Sequence, residues 1–183
     1  MAATKERALE AAVELLGTHG VRALSHARVD ERAGLPAGST SNWFRTRRAL
    51  LAGVIDWMAE HERADLDASL LERPTPETII DGICAVLLSQ TGEFATRTRA
   101  RYALWVELAS DPELLAPLHG QRRQFEQWTD GLVADAGIPD PVPAARALMA
   151  LSDGLILHRL TVDPNLDVRP AIERAVRALA ATP

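Results

Sequence analysis

A run of small and hydrogen-bonding residues lies between positions 37 and 42. It reads Ala-Gly-Ser-Thr-Ser-Asn and follows a turn-forming Gly-Leu-Pro sequence. Short side chains let a helix backbone approach another surface closely, and hydroxyl and amide groups hydrogen-bond to base edges in a DNA groove. The residues that suit such a groove-reading helix are Ala37, Gly38, Ser39, Ser41 and Asn42.

Two helical patterns precede this segment, and the first begins near the N-terminus. Apolar residues at helical spacing predict a helix over Thr4–Leu16, with glutamates on the opposite face. Thr4 is its predicted N-cap, and Gly17 or Gly20 is its predicted end.

A second helix of about two turns is predicted from a Ser25 cap to Ala33, ending at Gly34. A glycine-containing turn then leads into the segment of small residues. Together the three segments form a helix-turn-helix unit, in which the second helix crosses the phosphate backbone and the third enters the major groove. Leu35 and Phe44 are the predicted apolar contacts that hold the third helix on the first.

The rest of the chain favours helices as well. Ala, Leu, Arg and Glu dominate, while Tyr, Phe and Ile are scarce. Further helices are predicted from a Thr46 cap to about Leu71, from a Thr75 cap through Leu87, and over Phe94–Ser110, Pro112–Ala136 with a break near Pro117, Pro143–Val162 and Val168–Ala181. We therefore expect an all-α fold of about nine helices, with a DNA-binding head (residues 1–46) and a larger helical body for ligand binding and dimerisation (residues 47–183).

Charge is distributed unevenly along the chain. Residues 1–48 hold eight Lys or Arg against five Asp or Glu, a net charge of +3, whereas the remaining residues carry a net charge of -8. A basic head on an acidic body favours approach of the head to nucleic-acid phosphates. Ordinary solvated helix faces are the second explanation of this difference.

Other classes of function lack candidate residues. The five histidines include no pair at a metal-binding helical spacing, and the single cysteine, Cys84, cannot form an intramolecular disulfide. No phosphate-binding loop, dinucleotide fingerprint or nucleophile motif is present. We therefore expect no catalytic activity, metal or cofactor. Because no apolar run approaches membrane-spanning length and no signal peptide is recognisable, we expect a cytoplasmic protein without membrane association.

Residues 4–58 contain an ordered series of motifs. These are the helical run Ala8–Leu16, then Gly20, the segment Val29–Leu35, the pair Gly38-Ser39, the aromatic pair Trp43-Phe44 and the run Arg47–Leu51. Taken together, they resemble the N-terminal domain of the TetR family of transcriptional regulators, over the range Thr4–Met58. The resemblance implies a DNA-binding head of three helices on a ligand-binding, dimeric helical body.

The resemblance also implies which residues contact DNA. The groove-facing residues would be Ala37, Gly38, Ser39, Ser41, Asn42 and Trp43, and the phosphate-facing residues would be Ser25, Arg28, Thr46 and Arg47. Other interpretations stay open at this point: Arg28 and Arg47 as ordinary solvated charges, Asn42 as a cap or solvent-exposed residue, and Trp43 as a packing residue. The chain departs from the family pattern at Pro36, Ala37, Thr40 and Ser41, where Ser, Lys, an aliphatic residue and Tyr are usual, so no operator sequence is carried over.

The body contains a candidate dimer interface. The stretch Ala144–Leu155 resembles the family's penultimate core helix, and its small residues would let two such helices approach closely. With the helix around Gln121–Ala134, it would form a four-helix interface between two chains. A homodimer is also expected because two heads must reach successive major-groove faces, about 34–36 Å apart.

Aromatic residues concentrate in the middle of the body, with polar residues near them in sequence. The candidate ligand-binding residues are Arg101, Tyr102, Trp105, Phe125, Trp128 and His158. Such a set would suit a small apolar or aromatic effector. Core packing of the tryptophans and an interface position for His158 are the alternative interpretations.

The leading hypothesis from the sequence is a homodimeric repressor that leaves a pseudo-palindromic operator on double-stranded DNA when an effector shifts the fourth helix. The alternative is a helical small-molecule-binding or scaffolding protein whose head has lost DNA binding. The departures at Thr40 and Ser41 are the features that favour this alternative.

Overall fold

A computed structural model describes residues 2–67 and 74–181, and these residues are all-α, with nine α-helices and no strand. The helices are α1 (Ala2–His19), α2 (His26–Ala33), α3 (Ser39–Trp43), α4 (Arg47–Asp67), α5 (Pro76–Thr91), α6 (Ala95–Glu107), α7 (Ala116–Asp135), α8 (Pro141–Thr161) and α9 (Arg169–Ala180), with a 3₁₀ turn at Val21–Ala23. The all-α prediction is confirmed. The predicted end of the fourth helix near Leu71 lies outside the described residues.

The chain divides into two compact units. The first unit comprises residues 1–65 and 96–121, and the second comprises residues 66–95 and 122–183. The boundary after residue 46 that the sequence analysis gives is a functional one. It separates a DNA-binding head from a body for ligand binding and dimerisation, and it stays a prediction.

The first unit has one apolar core to which its helices contribute. Helix α1 packs against both α2 and α3. The large side chains that are almost completely buried in this core are Leu16, Leu24, Leu50, Ile55, Met58, Leu104, Leu115 and Leu118. Burial of one such side chain contributes about 1.5–3 kcal/mol, so apolar packing supplies most of the stability that fixes α1, α4 and α6.

Helix α1 is longer than predicted at both ends. It begins at Ala2, so Thr4 lies inside the helix, and the prediction of a Thr4 N-cap is wrong. The helix also continues through Gly17 to His19 and stops before Gly20, whose φ is +77°. Gly17 serves packing instead: a Cβ there would lie 2.1 Å from the carbonyl oxygen of Thr96. Glycine therefore permits a close approach between α1 and the start of α6.

Several helix ends follow the predicted capping residues. Ser25 precedes α2, and its hydroxyl accepts a hydrogen bond from the backbone N–H of Arg28 (3.4 Å). Gly34 ends α2 in the left-handed conformation, with φ +62°. Thr75 and Thr78 form a reciprocal capping box at the start of α5. Local sequence thus determines these boundaries.

The second unit is built from α5, α8 and α9, which pack against each other, together with the C-terminal part of α7. Its buried apolar side chains include Ile79, Ile80, Leu87, Leu148, Ile172 and Val176. An ion pair between Arg122 and Asp153 (2.8 Å) joins α7 to α8. No helix in the described part of the chain has the length and apolar character required to cross a membrane.

Helix α7 begins later than the sequence suggested. Residues 112–115 form a turn, and the helix starts at Ala116, so Pro117 lies in its first turn. Proline is well tolerated there because the first N–H groups of a helix have no intrahelical acceptor. The predicted break near Pro117 is the beginning of the helix.

Candidate nucleic-acid interface

The short helix α3 carries most of the predicted groove-facing residues. It follows Gly38, which adopts the left-handed conformation with φ +88°. The exposed candidates are Ala37, Gly38 and Asn42, and the half-buried ones are Ser39, Ser41 and Trp43. The structure therefore brings all six onto α3 or the turn directly before it, and none of them is fully buried.

The inner face of α3 is packed into the core of the first unit. Phe44, directly after α3, is buried, and Leu35 and Trp43 pack partly against the same core. The ring of Phe44 lies over Gly53 of α4, where a Cβ would be only 2.3 Å from Cε1 of the ring. The predicted apolar contacts at Leu35 and Phe44 are confirmed.

Asp30 on α2 is a site residue that sequence reasoning missed. Its carboxylate is 3% exposed and accepts three hydrogen bonds from the start of α3. The backbone N–H of Gly38 donates to Oδ2 (2.8 Å), and the backbone N–H and hydroxyl of Thr40 donate to Oδ1 (2.8 and 2.5 Å). Burial raises the pKa of Asp30, but these hydrogen bonds outweigh it, so the pKa lies below its ordinary value.

Thr40 therefore has a structural reason to depart from the aliphatic residue usual at its position. Its side chain is fully buried, and its hydroxyl satisfies the buried carboxylate of Asp30. In the sequence this departure favoured loss of DNA binding. The structure instead places Thr40 in an internal contact with Asp30, while Asn42 on the outer face of α3 is exposed.

A second α2 side chain contacts the other end of α3. Nε2 of His26 lies 2.6 Å from the carbonyl oxygen of Phe44 and donates to it. His26 and Asp30 are four residues apart, so they lie on the same face of α2. In the sequence, the only sign of these contacts with α3 is the spacing of two polar residues four positions apart on α2.

Two of the predicted phosphate-facing residues are helix N-caps. Ser25 caps α2, and Thr46 caps α4 by accepting the backbone N–H of Ala49 (3.0 Å). The N-terminus of a helix offers unpaired backbone N–H donors and the positive end of the dipole, which together attract phosphate. Arg28 is exposed in the first turn of α2 and adds a formal positive charge at the same end.

Arg47 is already engaged with the protein backbone. Its guanidinium donates to the carbonyl oxygens of Val21 (2.7 Å), in the 3₁₀ turn between α1 and α2, and of Leu24 (3.3 Å), the residue directly after that turn. Its neighbour Arg48 pairs with Asp111. Arg47 thus stabilises the connection into α2, and its contact with phosphate stays a prediction.

The candidate ligand-binding residues of the first unit cluster on α6. Nη1 of Arg101 donates to Oε1 of Glu62 on α4 (2.6 Å), and both side chains are largely buried. The guanidinium lies 5.5 Å from the ring of Tyr102 and 5.6 Å from that of Trp105, and the two rings meet edge to face at 5.4 Å.

The remaining ligand candidates belong to the second unit. Phe125 and Trp128 stack on α7 with ring centroids 5.5 Å apart, and both are half-buried. His158 is exposed on α8. The six candidates therefore fall into an α6 cluster, an α7 pair and a separate histidine, and their binding of a ligand stays a prediction.

Residues 74–182 match the family described as tetracyclin repressor-like, C-terminal domain. The chain belongs to the TetR family. It is therefore a transcriptional regulator whose fold supports DNA binding, and the helix-turn-helix head, resembling the family in sequence, precedes the matched C-terminal domain. No curated protein matches the chain.

Solved structures of other proteins, two of them described as TetR-family members, share the fold along nearly the whole chain. A TetR-family transcriptional regulator from Streptomyces coelicolor aligns with a TM-score of 0.80 at 20% identity, covering 98% of this TetR-family chain and 95% of that chain. A second family member from Streptomyces coelicolor A3 gives 0.75 at 24% identity, covering 98% and 99%. The multidrug binding protein EbrR, complexed with ethidium, gives 0.67 at 25% identity, covering 96% and 97%.

Proposed function

We propose that this TetR-family regulator is a repressor that binds a pseudo-palindromic operator as a homodimer and leaves it when a small apolar or aromatic effector binds. The observation that carries the proposal is the two-sided character of α3. Its inner face is anchored by Thr40 and Phe44, while Asn42 and the exposed residues before the helix stay accessible to another molecule.

In the proposed complex, α3 enters the major groove and its side chains hydrogen-bond to base edges. The N-termini of α2 and α4, marked by Ser25 and Thr46, hold phosphates on either side. Arg28 adds an electrostatic contact that does not depend on base sequence. The division of roles is thus base recognition by α3 and positioning by the two helix starts.

The proposed dimer uses α8 and the C-terminal part of α7. Along α8 the exposed residues Ala147, Ala150, Gly154 and Leu157 recur at intervals of three or four residues, which places them on one face. A Cβ at Gly154 would meet no atom within 4 Å. Small residues along such a face permit close approach of the same helix from a second chain.

The proposed effector acts through the contact between α6 and α4. Arg101 donates to the buried carboxylate of Glu62 and lies beside the rings of Tyr102 and Trp105. A flat molecule that stacks on these rings would compete with Arg101 for position and disturb its pairing with α4. Because Thr46, a proposed phosphate contact, caps the start of α4, a shift of α4 would change operator affinity. The ethidium complex of EbrR supports an aromatic effector.

DNA binding is tested by selecting bound fragments from genomic DNA and measuring affinity at several salt concentrations. We expect affinity to fall steeply with salt. Arg28→Ala should weaken binding to all duplexes and lower the salt slope by about one, whereas Asn42→Ala should change base preference. Arg174→Ala, an exposed arginine on α9, is the control. Salt-independent or absent binding would favour a helical small-molecule-binding or scaffolding protein.

The dimer is tested by Gly154→Leu. Because a side chain fits at this position within one chain, folding should be retained while the two α8 helices are kept apart. Sedimentation should show a monomer, and operator affinity should fall with it. Ala85→Leu, which enlarges an exposed residue of α5, should leave the dimer intact. A dimeric Gly154→Leu variant would contradict the proposed interface.

The effector step is tested with ethidium as the probe. We expect it to raise the melting temperature and to release the operator from the wild type. Glu62→Gln removes the charge that Arg101 pairs with, so ethidium should still bind but release the operator less completely. Equal release from Glu62→Gln and the wild type would contradict this route.

A further inference from the structure

Helix α3 is too short to hold its own conformation. It has five residues, and a helix of this length does not repay the entropy of nucleation in water. Its outer side chains must also stay unpacked if they are to contact DNA. The orientation of α3 must therefore be imposed by contacts on its inner face and at its two ends.

The N-terminal end is held by Asp30. The carboxylate accepts the backbone N–H groups of Gly38 and Thr40, two donors that have no acceptor within a helix start, and also the Thr40 hydroxyl. A negative charge at this end also matches the helix dipole. Three hydrogen bonds to one buried carboxylate fix both the distance of the first turn of α3 from α2 and its rotation about the helix axis.

The C-terminal end is held by His26. Its Nε2–H donates to the carbonyl oxygen of Phe44, the residue that ends α3. Carbonyls at a helix end lack intrahelical donors, so this contact satisfies a group that would otherwise need water. His26 and Asp30 are one turn apart on α2, so side chains on a single face of α2 hydrogen-bond to both ends of α3.

We propose that His26 and Asp30 are positioning residues for base recognition, which set the register of α3 against the DNA without touching it. This inference rests on the proposed placement of α3 in the major groove. Base contacts depend on side-chain placement to within about 0.5 Å, whereas phosphate contacts tolerate small movements of α3 because they come from other helices. Loss of the hydrogen bonds between α3 and His26 or Asp30 should therefore lower discrimination between operator and random DNA more than it lowers binding to random DNA.

Thr40 offers the sharpest test because its side chain can be changed without a change of shape. Thr40→Val removes the hydroxyl that donates to Asp30 and keeps the volume, whereas Thr40→Ser keeps the hydroxyl. At the other end, His26→Phe removes the donor, and His26→Gln keeps an N–H donor at similar reach. Glu31→Gln changes an exposed acidic residue of the same helix and is the control.

The experiment measures the dissociation constants of the full chain for its selected operator and for a random duplex at one salt concentration. For Thr40→Val and His26→Phe we expect the ratio of the two constants to fall by roughly 5- to 150-fold, the discrimination that goes with one base-pair contact. Binding to random DNA and the salt slope should stay near wild type. Thr40→Ser, His26→Gln and Glu31→Gln should retain the ratio.

Asp30→Asn is the direct variant, and it places an amide N–H against backbone N–H groups, so it can prevent folding. Circular dichroism shows whether Asp30→Asn is folded. If it is not, the Thr40 and His26 variants test the inference. Wild-type discrimination in folded Thr40→Val and His26→Phe would overturn the inference, as would an equal loss of binding to operator and random DNA. A wild type that binds no DNA would instead overturn the proposed function.

Discussion

The α2–α3 pair of the first unit and the α5–α8–α9 group of the second unit are held together by different forces. Asp30 and His26 fix α3 through hydrogen bonds to the backbone and to Thr40. The second group is fixed by apolar side chains such as Ile79 and Ile172, which are almost completely buried. In the α2–α3 pair, directional polar contacts add to the apolar burial of Phe44, whereas in the α5–α8–α9 group the apolar side chains carry most of the packing.

The difference follows from what each region has to leave exposed. A five-residue helix whose outer face contacts another molecule can bury few side chains, so apolar burial alone would leave it able to slide or rotate. Hydrogen bonds in a buried setting are directional and costly to break, and they specify one arrangement. The α2–α3 pair should thus respond to the loss of single polar atoms, and the α5–α8–α9 group to the loss of volume.

The largest effect on stability is expected from Ile172→Ala. Ile172 is fully buried on α9, and replacement by alanine leaves a cavity in the second unit. We expect the free energy of unfolding in urea to fall by about 2–5 kcal/mol. The ratio of operator to random-DNA binding should not change in the folded protein.

Arg174→Ala, on the exposed side of the same helix, should change stability by less than about 0.5 kcal/mol. If Ile172→Ala altered base preference while the protein stayed folded, the contrast between the two regions would not hold.

A smaller loss is expected from Gly38→Ala, which affects the polar region. Gly38 has φ +88°, and a Cβ there would meet only the hydroxyl of Ser41 at 3.9 Å, so the cost is backbone strain and not a clash. About 1–2 kcal/mol is expected from the left-handed conformation. Because Gly38 also donates to Asp30, its strain is transmitted to the start of α3, and operator binding should weaken as well.

Gly137→Ala is the matched control. Gly137 has φ +72° at the end of α7, and its Cβ would also meet open space. The loss of stability should be similar, but operator binding should be retained. Equal effects of the two variants on operator binding would show that strain in general, and not its position, is responsible.

The same contrast explains how much could be predicted from the sequence. Caps such as Ser25 and Thr75 act within one turn of the chain, so local sequence was sufficient to locate those helix starts. Gly17 was misread because the close approach of Thr96 is a tertiary contact. Helical periodicity places His26 and Asp30 on one face of α2, but the bonds between Asp30 and Thr40 span ten residues, and periodicity does not identify that partner.

The candidate site likewise contains residues that local sequence could identify and contacts that it could not. The groove-facing residues are contiguous on α3 and could be named from their chemistry and from a family resemblance. The engagement of Arg47 with Val21 and Leu24, 26 and 23 residues away, could not, because it depends on how the turn between α1 and α2 folds back. Sequence reasoning reached the outer surface of α3 and the apolar contacts of Leu35 and Phe44 behind it, but not the polar contacts of Asp30 and His26.

The smallest effect is expected from acid, because two opposing causes act on Asp30. Burial raises the pKa of Asp30, and the hydrogen bonds from Thr40 and Gly38 lower it by more, which leaves the folded-state pKa below the ordinary 3.8. Such a group stabilises the fold fully above its unfolded pKa, and its contribution is lost as the pH falls through the folded-state pKa. The difference in unfolding free energy between the wild type and Thr40→Val, which lacks the hydroxyl that donates to Asp30, should therefore shrink as the pH falls below the ordinary 3.8, in urea titrations at successive pH values. Glu31→Gln, exposed on the same helix, provides the reference, and a difference that grows toward acid would mean that the carboxylate is not held in its charged form.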